Sequence, residues 1–297
     1  MRKGLLYGSL AYVVWGLSPL YWKLLNQVGH FGLVSHRILW SFVFIFIVAR
    51  LVRSKELKTL IQNKRALILL GTAGVLISVN WGLFIYAVNI GHVLETSLGY
   101  FINPLMTILA GLIVFKEKLT LLQKLATILA AVGVVYFTFD YGSFPWLGMS
   151  LAILFAVYGA IKKAGSYPAV PALVIETGTV APLALIFVII SFFLPDNGFL
   201  ADVSSLGGWA TTLLLMGTAV ITILPLLWYA EGVNLLPFSW MGFLQYLCPT
   251  ISFFLGIFAF GEPFTFAHGI LFGLIWIGLA LISIEVVITT KNSTTSA

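Results

Sequence analysis

The sequence predicts an all-α polytopic membrane protein with ten transmembrane helices in two inverted five-helix repeats. Three observations support this fold class. Of the 297 residues, 60 % are hydrophobic and 9 % charged, whereas a soluble chain is about a quarter charged. The apolar segments have the length of a membrane-crossing helix, about 20 residues. Finally, the two halves of the chain match each other at a fixed offset.

Charged and turn residues divide the apolar sequence into ten segments, which we number as spans one to ten. Strands of a barrel would alternate polar and apolar residues over about ten positions, and these segments do not. The longest polar connector is residues 53–66, and no segment resembles a separate soluble domain. The predicted spans are 4–24, 32–52, 67–88, 94–115, 121–139, 146–162, 170–194, 208–230, 238–260 and 265–288.

The basic residues predict the orientation of the spans. Fourteen of the 16 Lys and Arg residues lie at the two termini or around the connectors that follow even-numbered spans. The exceptions are Lys23 and Arg37. Because cytoplasmic loops carry an excess of Lys and Arg, we predict a bacterial-type plasma (inner) membrane protein with both termini in the cytoplasm.

An internal repeat appears when the chain is shifted by 145 residues. Each half then holds five spans, an odd number, so the second half enters the membrane from the opposite side. This divides the chain into repeats 1-142 and 143-290 and a short cytoplasmic tail, 291-297. Inverted repeats are typical of secondary transporters, whose substrate site lies near the midplane between the repeats. The identical pairs are Asn89/Asn234, Pro104/Pro249, Gly111/Gly256, Glu117/Glu262, Thr120/Thr265 and Gly133/Gly278, and an offset of 143 aligns Trp15-Gly16 with Tyr158-Gly159.

Several of these features resemble the drug/metabolite transporter superfamily and its EamA-type repeats: Trp15-Gly16, Asn103-Pro104, Glu117, Pro249 and Gly261-Glu262. The stretches YVVWGLSPLYWK in span one and SHRILWS in span two are similar to the RarD group. The resemblance covers essentially the whole chain. It implies a carrier with a central cavity lined by spans one to four and six to nine. Substrates within the superfamily range over amino acids, nucleobase-like metabolites, sugars and drugs.

Polar residues form matching stripes on spans four and nine. On span four the spacing of 4, 3 and 4 puts Thr96, Tyr100, Asn103 and Thr107 on one helix face. The offset of 145 carries this stripe to Met241, Gln245, Cys248 and Ser252. Such stripes suit a cavity across a two-fold axis; the alternative is hydrogen bonding between helices, worth about 0.6–2 kcal/mol. The predicted substrate-binding residues are Tyr12, Trp15, Asn80, Tyr100, Asn103, Trp228, Gln245 and Cys248.

Charges in or beside spans are candidate gates, since a charge at the centre of a span costs about 2.5–3.5 kcal/mol. We predict an external cluster of Lys23, Arg37 and Glu95 and a cytoplasmic acidic cluster of Glu176 and Glu231. Arg37 is suited to grip an anionic group, and Glu176 is the candidate proton site if transport is coupled. The alternative is that these side chains snorkel to water or form static ion pairs.

Two glutamates and two prolines are predicted to have structural roles. Glu117 and Glu262 each end a span and precede a Thr by three residues, so we interpret both as joints between helices. Thr120 and Gln123 have the spacing of a capping box. Pro104 and Pro249 are predicted hinges, because proline removes one helix hydrogen bond; a static kink is the alternative.

The remaining motifs narrow the function. The sequence has no G-x-x-x-x-G-K-[ST] motif for ATP, no G-x-S-x-G or H-E-x-x-H motif, and no metal-ligand spacing among its four histidines. We therefore predict a secondary transporter for a small organic metabolite or drug, working as an exporter, without cofactor, metal or nucleic acid. Uptake, or a non-transporting membrane enzyme or assembly protein, remains an alternative. The lipid bilayer and a second copy of the chain are further predicted partners.

Overall fold

A computed structural model describes residues 1–25, 28–192, 209–261 and 264–295. Within these residues all regular secondary structure is α-helical. The helices are α1 (Arg2–Lys23), α2 (His30–Val52), α3 (Ser54–Gln62), α4 (Lys64–Asn89), α5 (Val93–Ile113), α6 (Leu121–Tyr141), α7 (Trp146–Gly165), α8 (Ala169–Phe192), α9 (Trp209–Leu235), α10 (Phe238–Gln245), α11 (Leu247–Phe260) and α12 (Phe266–Thr295).

The described residues contain nine helical stretches that are long and apolar enough to cross a membrane. Helices α10 and α11 together form one of them, Phe238–Phe260. The first predicted span, α1, is 22 residues long but is not among the nine. Helices α7 and α12 run past the predicted ends of spans six and ten, to Gly165 and Thr295. The fold is therefore an all-helical membrane protein.

Helix α3 corrects one prediction, because the supposed polar connector 53–66 contains the helix Ser54–Gln62. Leu57 and Leu60 are buried on one side of it, whereas Lys55 and Lys58 are exposed. The buried side packs against α8 and the neighbouring ends of α2 and α4. A helix with one apolar and one basic side is suited to a membrane surface.

The spanning helices pack in a regular set of pairs. Helix α2 packs on α8, α6 on α12, and α5 on both α7 and α10. Helix α1 packs on α9 and α11, and α4 packs on α7 and α8. Helices α5 and α10 approach each other closely at Gly242, where a β-carbon would lie 2.9 Å from the carbonyl oxygen of Pro104. The core therefore lies between the two halves of the sequence.

The two predicted hinge prolines have different surroundings. The ninth span is interrupted at Tyr246, between α10 and α11. Pro249 has no N–H to donate to the carbonyl of Gln245 four residues earlier, which accounts for a weak point here. Pro104 lies inside α5, which remains continuous. Of the two prolines, only Pro249 therefore lies near a break in its helix. The hinge role of both prolines stays a prediction.

Candidate functional site

Five aromatic side chains from α1, α7 and α9 meet in the centre of the molecule. The ring of Tyr229 lies 5.7 Å from Trp15 and 5.4 Å from Phe155, measured between centroids. Tyr158 stacks on Tyr229 at 6.0 Å with the planes 14° apart, and Tyr12 meets it edge-on at 6.2 Å. Each such pair contributes about 0.5–1.5 kcal/mol beyond its buried area. This aromatic cluster ties the two halves of the chain together.

Beside the aromatic cluster lies a buried ion pair. Lys162 Nζ is 2.6 Å from Glu176 Oε1, with only 4 % and 2 % of the two side chains exposed. The hydroxyl of Tyr158 donates to the other carboxylate oxygen of Glu176 at 3.0 Å. The hydroxyls of Tyr12 and Tyr229 are buried without a partner among the described residues. We call the following five residues the buried network: Lys162, Glu176, Tyr158, Tyr12 and Tyr229.

The unpaired hydroxyls of Tyr12 and Tyr229 carry a cost. A buried donor without a partner is destabilising by about 1–3 kcal/mol. Both groups lie within one cluster of rings, between helices α1 and α9. A polar molecule or water that reaches this cluster would find two hydroxyls ready to form hydrogen bonds.

Arg37 of α2 lies against two indole rings. It is on the opposite side of the aromatic cluster from the Lys162–Glu176 pair, because its partner Thr222 precedes Tyr229 on α9 whereas Lys163 contacts Val233, which follows Tyr229. Its Cζ is 3.9 Å from the ring centroid of Trp81 and 5.2 Å from that of Trp22. Its Nε donates to the hydroxyl of Thr222 on α9 at 2.6 Å. No carboxylate of the described residues lies within ion-pair distance of it. Stacked indoles favour a cation by about 0.5–2 kcal/mol each, so they offset part of the burial cost.

Tyr100 shows that this part of the molecule is open. It is 45 % exposed, although Thr96, Asn103 and Thr107 on the same helix face are buried. Its ring lies 5.9 Å from Phe84 of α4. Its phenol is within electrostatic range of Arg37 of α2 and of Cys248 of α11. Because groups on three other helices lie near it, we interpret the exposed part of Tyr100 as facing a recess between α2, α4, α5 and α11.

We define the recess by the residues that face one another there: Trp22, Arg37, Trp81, Phe84, Tyr100 and Cys248. Only Arg37 among them is charged. The other members are aromatic rings and one thiol, and all of them are at least partly accessible. Chemically, the recess can hold an apolar ring and one negative charge.

The other predicted substrate-binding residues have mixed surroundings. Thr107 donates to the side-chain oxygen of Gln245 at 3.1 Å, so the stripes of spans four and nine meet. Asn80 donates to the carbonyl of Leu151 at 2.8 Å and thereby joins α4 to α7. The side-chain oxygen of Asn103 is buried without a partner among the described residues, and Trp228 packs half-buried on the core.

The structure does not assemble the predicted charge clusters within the described residues. Lys23 lies over the ring of Phe260 at 4.7 Å. Glu95 accepts from the backbone N–H of Leu147 at 2.6 Å and contacts His92 at 2.8 Å. Each group has a nearer partner than Arg37, so the external cluster does not form.

The cytoplasmic acidic cluster does not form either. Glu176 is paired with Lys162, while Glu231 is half-buried in a surface groove beside Arg53 and Glu56. A buried carboxylate is stabilised by a cation rather than by a second carboxylate. The two glutamates are therefore in separate environments.

The predicted joints contact other helices. Glu117 accepts hydrogen bonds from the backbone N–H groups of Phe238 (2.5 Å) and Ser239 (2.8 Å) at the start of α10. The capping box of Thr120 and Gln123 at the start of α6 is confirmed. The same two side chains donate to Glu285 of α12, at 3.0 and 2.9 Å. Glu262 lies outside the described residues.

Sequence reasoning missed several residues of the site. Lys162 was assigned only to orientation, and Trp22, Trp81, Thr222 and Tyr229 were not singled out. A signal existed for part of the aromatic cluster. The offset of 143 that aligns Trp15 with Tyr158 also carries Tyr12 to Phe155, and these four side chains share the aromatic cluster.

Comparisons with known proteins agree with one another. A model of the EamA-like transporter family matches residues 2–139. The uncharacterized transporter YojE of Bacillus subtilis is 42% identical over 285 residues, or 94% of this chain and 93% of that protein. Protein RarD of Escherichia coli is 36% identical over 295 residues, or 98% of this chain and 97% of that protein.

A solved crystal structure shares the fold at a TM-score of 0.73 and 18% identity, covering 96% of this chain and 98% of that one. The family match and the full-length relatives agree with the apolar helices of the structure. The chain therefore belongs to the EamA-like transporters of the drug/metabolite transporter superfamily, in the RarD group, as a multi-pass inner-membrane transporter.

Proposed function

We propose that the chain is a ten-span secondary carrier that exports a small organic metabolite or drug by alternating access. Its two inverted repeats are residues 1-142 and 143-290, and the substrate site lies between them. The observation that carries the proposal is the contrast between the two sides of the aromatic cluster. The recess with Arg37 and Tyr100 is accessible, whereas the network of Lys162 and Glu176 is fully buried.

The packing pairs support ten spans and the inverted repeat. In an inverted repeat, spans three and six (α4 and α7) correspond to spans eight and one (α9 and α1). The α4–α7 contact and the α9–α1 contact both exist. Likewise, spans four and six (α5 and α7) correspond to spans nine and one. The contact of α5 with α7 therefore corresponds to the contact of α10 and α11 with α1, and both contacts exist. Phe101 and Tyr246, which are 145 residues apart, share a hydrogen bond. Residues at equivalent positions of two repeats are expected to contact each other only next to the two-fold axis that relates the repeats.

The distribution of charge supports an orientation with both termini in the cytoplasm. The basic side of α3, with Lys55 and Lys58, then lies at the cytoplasmic surface, where anionic headgroups attract it. In this orientation the buried network is near the cytoplasmic end of its helices, since Lys162 lies in the last turn of α7. The structure would then be the outward-open, inward-closed state.

Alternating access requires that the path be closed on one side while it is open on the other. Opening toward the cytoplasm would separate α7 and α8 from α1 and α9 and expose the buried network to water. Tyr12 and Tyr229, whose hydroxyls lack partners here, would then become accessible to an entering solute. Lys162 and Glu176 are both on the α7–α8 side of this opening, so they would line the cytoplasmic gate and become hydrated when it opens.

Metabolite profiling tests export. Cells that overproduce the chain are compared with cells that produce equal amounts of the Gly242→Leu variant, in which the side chain would collide with α5. We expect at least one organic metabolite to accumulate in the medium and fall in the cytoplasm with the wild-type chain only. Enrichment inside the cells would instead establish uptake. No difference in either compartment would refute the carrier.

A further inference from the structure

The recess has a composition that selects one chemical class of solute. This step rests on the proposed function, because it names what that site binds. We infer that the recess binds a monoanionic aromatic carboxylate, with its carboxylate on Arg37 and its ring against Trp81, Phe84 and Tyr100.

The orientation of Arg37 is the first part of the argument. Its Nε donates to Thr222, and its guanidinium carbon lies over the rings of Trp81 and Trp22. A guanidinium has five N–H donors, so four terminal N–H groups remain, and the described residues provide no hydrogen-bond partner for them. These groups form the planar fork that binds a carboxylate through two parallel hydrogen bonds. The protein therefore holds the group as a ligand-binding arginine is held.

The count of charges is the second part. Arg37 is the one cation among the described residues of the recess, since Lys23 is directed to Phe260 instead. A single negative charge on the solute balances it. A phosphate carries about −1.5 to −2 charges and would leave an excess of negative charge beside a single cation. A cationic solute would be repelled by Arg37.

The aromatic walls are the third part. Trp81 and Phe84 are one helical turn apart on α4, and Tyr100 faces them from α5 at 5.9 Å from Phe84. Offset or edge-on ring contacts favour a planar ring in this space. The hydroxyl of Tyr100 and the thiol of Cys248 add polar contacts at its rim. An aliphatic acid would use the charge of Arg37 but not these ring contacts.

Binding to the purified full-length protein tests the inference, with three probes of similar size: phenylacetate, phenylacetamide and phenylethylammonium. Isothermal titration calorimetry in detergent measures each affinity. We expect phenylacetate to bind at least tenfold more tightly than the other two. The Arg37→Gln variant should lose about 10- to 100-fold in phenylacetate affinity, with phenylacetamide unchanged. Arg50→Gln removes the same charge from the exposed end of α2 and should change nothing.

A second variant covers the case in which Arg37→Gln does not fold. Thr222→Val keeps the charge but removes the hydrogen bond that orients it, so phenylacetate affinity should fall about 3- to 10-fold. Absence of phenylacetate binding, equal binding of the three probes, or an unchanged phenylacetate affinity in both variants would overturn the inference.

The carrier function and the substrate class can be refuted independently of each other. If phenylacetate binds through Arg37 but is not released from loaded proteoliposomes, the substrate class stands and the carrier function fails. If cells export a metabolite but phenylacetate does not bind, the carrier function stands and the substrate class fails.

Discussion

Removing one partner of the buried ion pair should be far more harmful than removing both. Lys162 and Glu176 are 2.6 Å apart with almost no exposed side-chain surface. Leaving one buried charge alone costs about 3–5 kcal/mol, so Glu176→Gln and Lys162→Met should each lower the free energy of unfolding by this amount. The double variant leaves no charge and should be closer to wild type than either single variant. Tyr158→Phe removes one hydrogen bond to Glu176 and should cost about 1–3 kcal/mol.

The assay is a titration of the purified protein in detergent micelles with sodium dodecyl sulfate, which yields free energies of unfolding for a double-mutant cycle. Lys124→Met, at an exposed position, is the control and should lie within about 0.5 kcal/mol of wild type. A coupling energy near zero would refute the reasoning. It would mean that the charges of Lys162 and Glu176 are solvated independently and that this side of the protein is not closed.

Three further predictions follow from the described contacts. Glu117→Gln weakens the cap on α10 and should lower the free energy of unfolding by about 0.5–2 kcal/mol, whereas a change below 0.3 kcal/mol would contradict a joint role. Gly242→Val places a β-carbon 2.6 Å from Ile108 Cγ1, so it should cost about 1–3 kcal/mol and lower the melting temperature; an unchanged value would contradict the close packing. Arg37→Ala and Glu176→Gln should each reduce transport of an identified solute at least tenfold in proteoliposomes containing equal amounts of inserted protein; normal rates in both would reject the gate hypothesis.

The apolar segments were predictable because bilayer thickness fixes the length of an apolar helix, and each of the ten predicted segments overlaps an observed helix. Helix α3 was missed because its apolar positions are few and lie among four basic residues, Arg53, Lys55, Lys58 and Lys64, so composition alone resembled a loop. Its stability depends on burying Leu57 and Leu60 against other helices, which no local pattern reveals.

The candidate site was only partly predictable from the sequence. Periodicity identified the stripe of Tyr100 and the offset of 145 identified Gln245, because both depend on helix geometry and repeat symmetry. The partner of each charged side chain was not predictable. Lys162 carries the same charge as its neighbour Lys163, yet the first is buried on Glu176 and the second donates to the backbone carbonyl of Val233. One residue along a helix turns a side chain by about 100°, and only the packed neighbours decide which charge is enclosed.

The sole cysteine of the chain has a practical consequence. Cys248 is half-buried on α11, belongs to the recess, and is within electrostatic range of Tyr12 in the buried network. The wild-type protein is therefore already a single-site substrate for thiol chemistry. A spin label or a small fluorinated tag on this sulfur would report hydration and distance changes at the recess, without any background mutation.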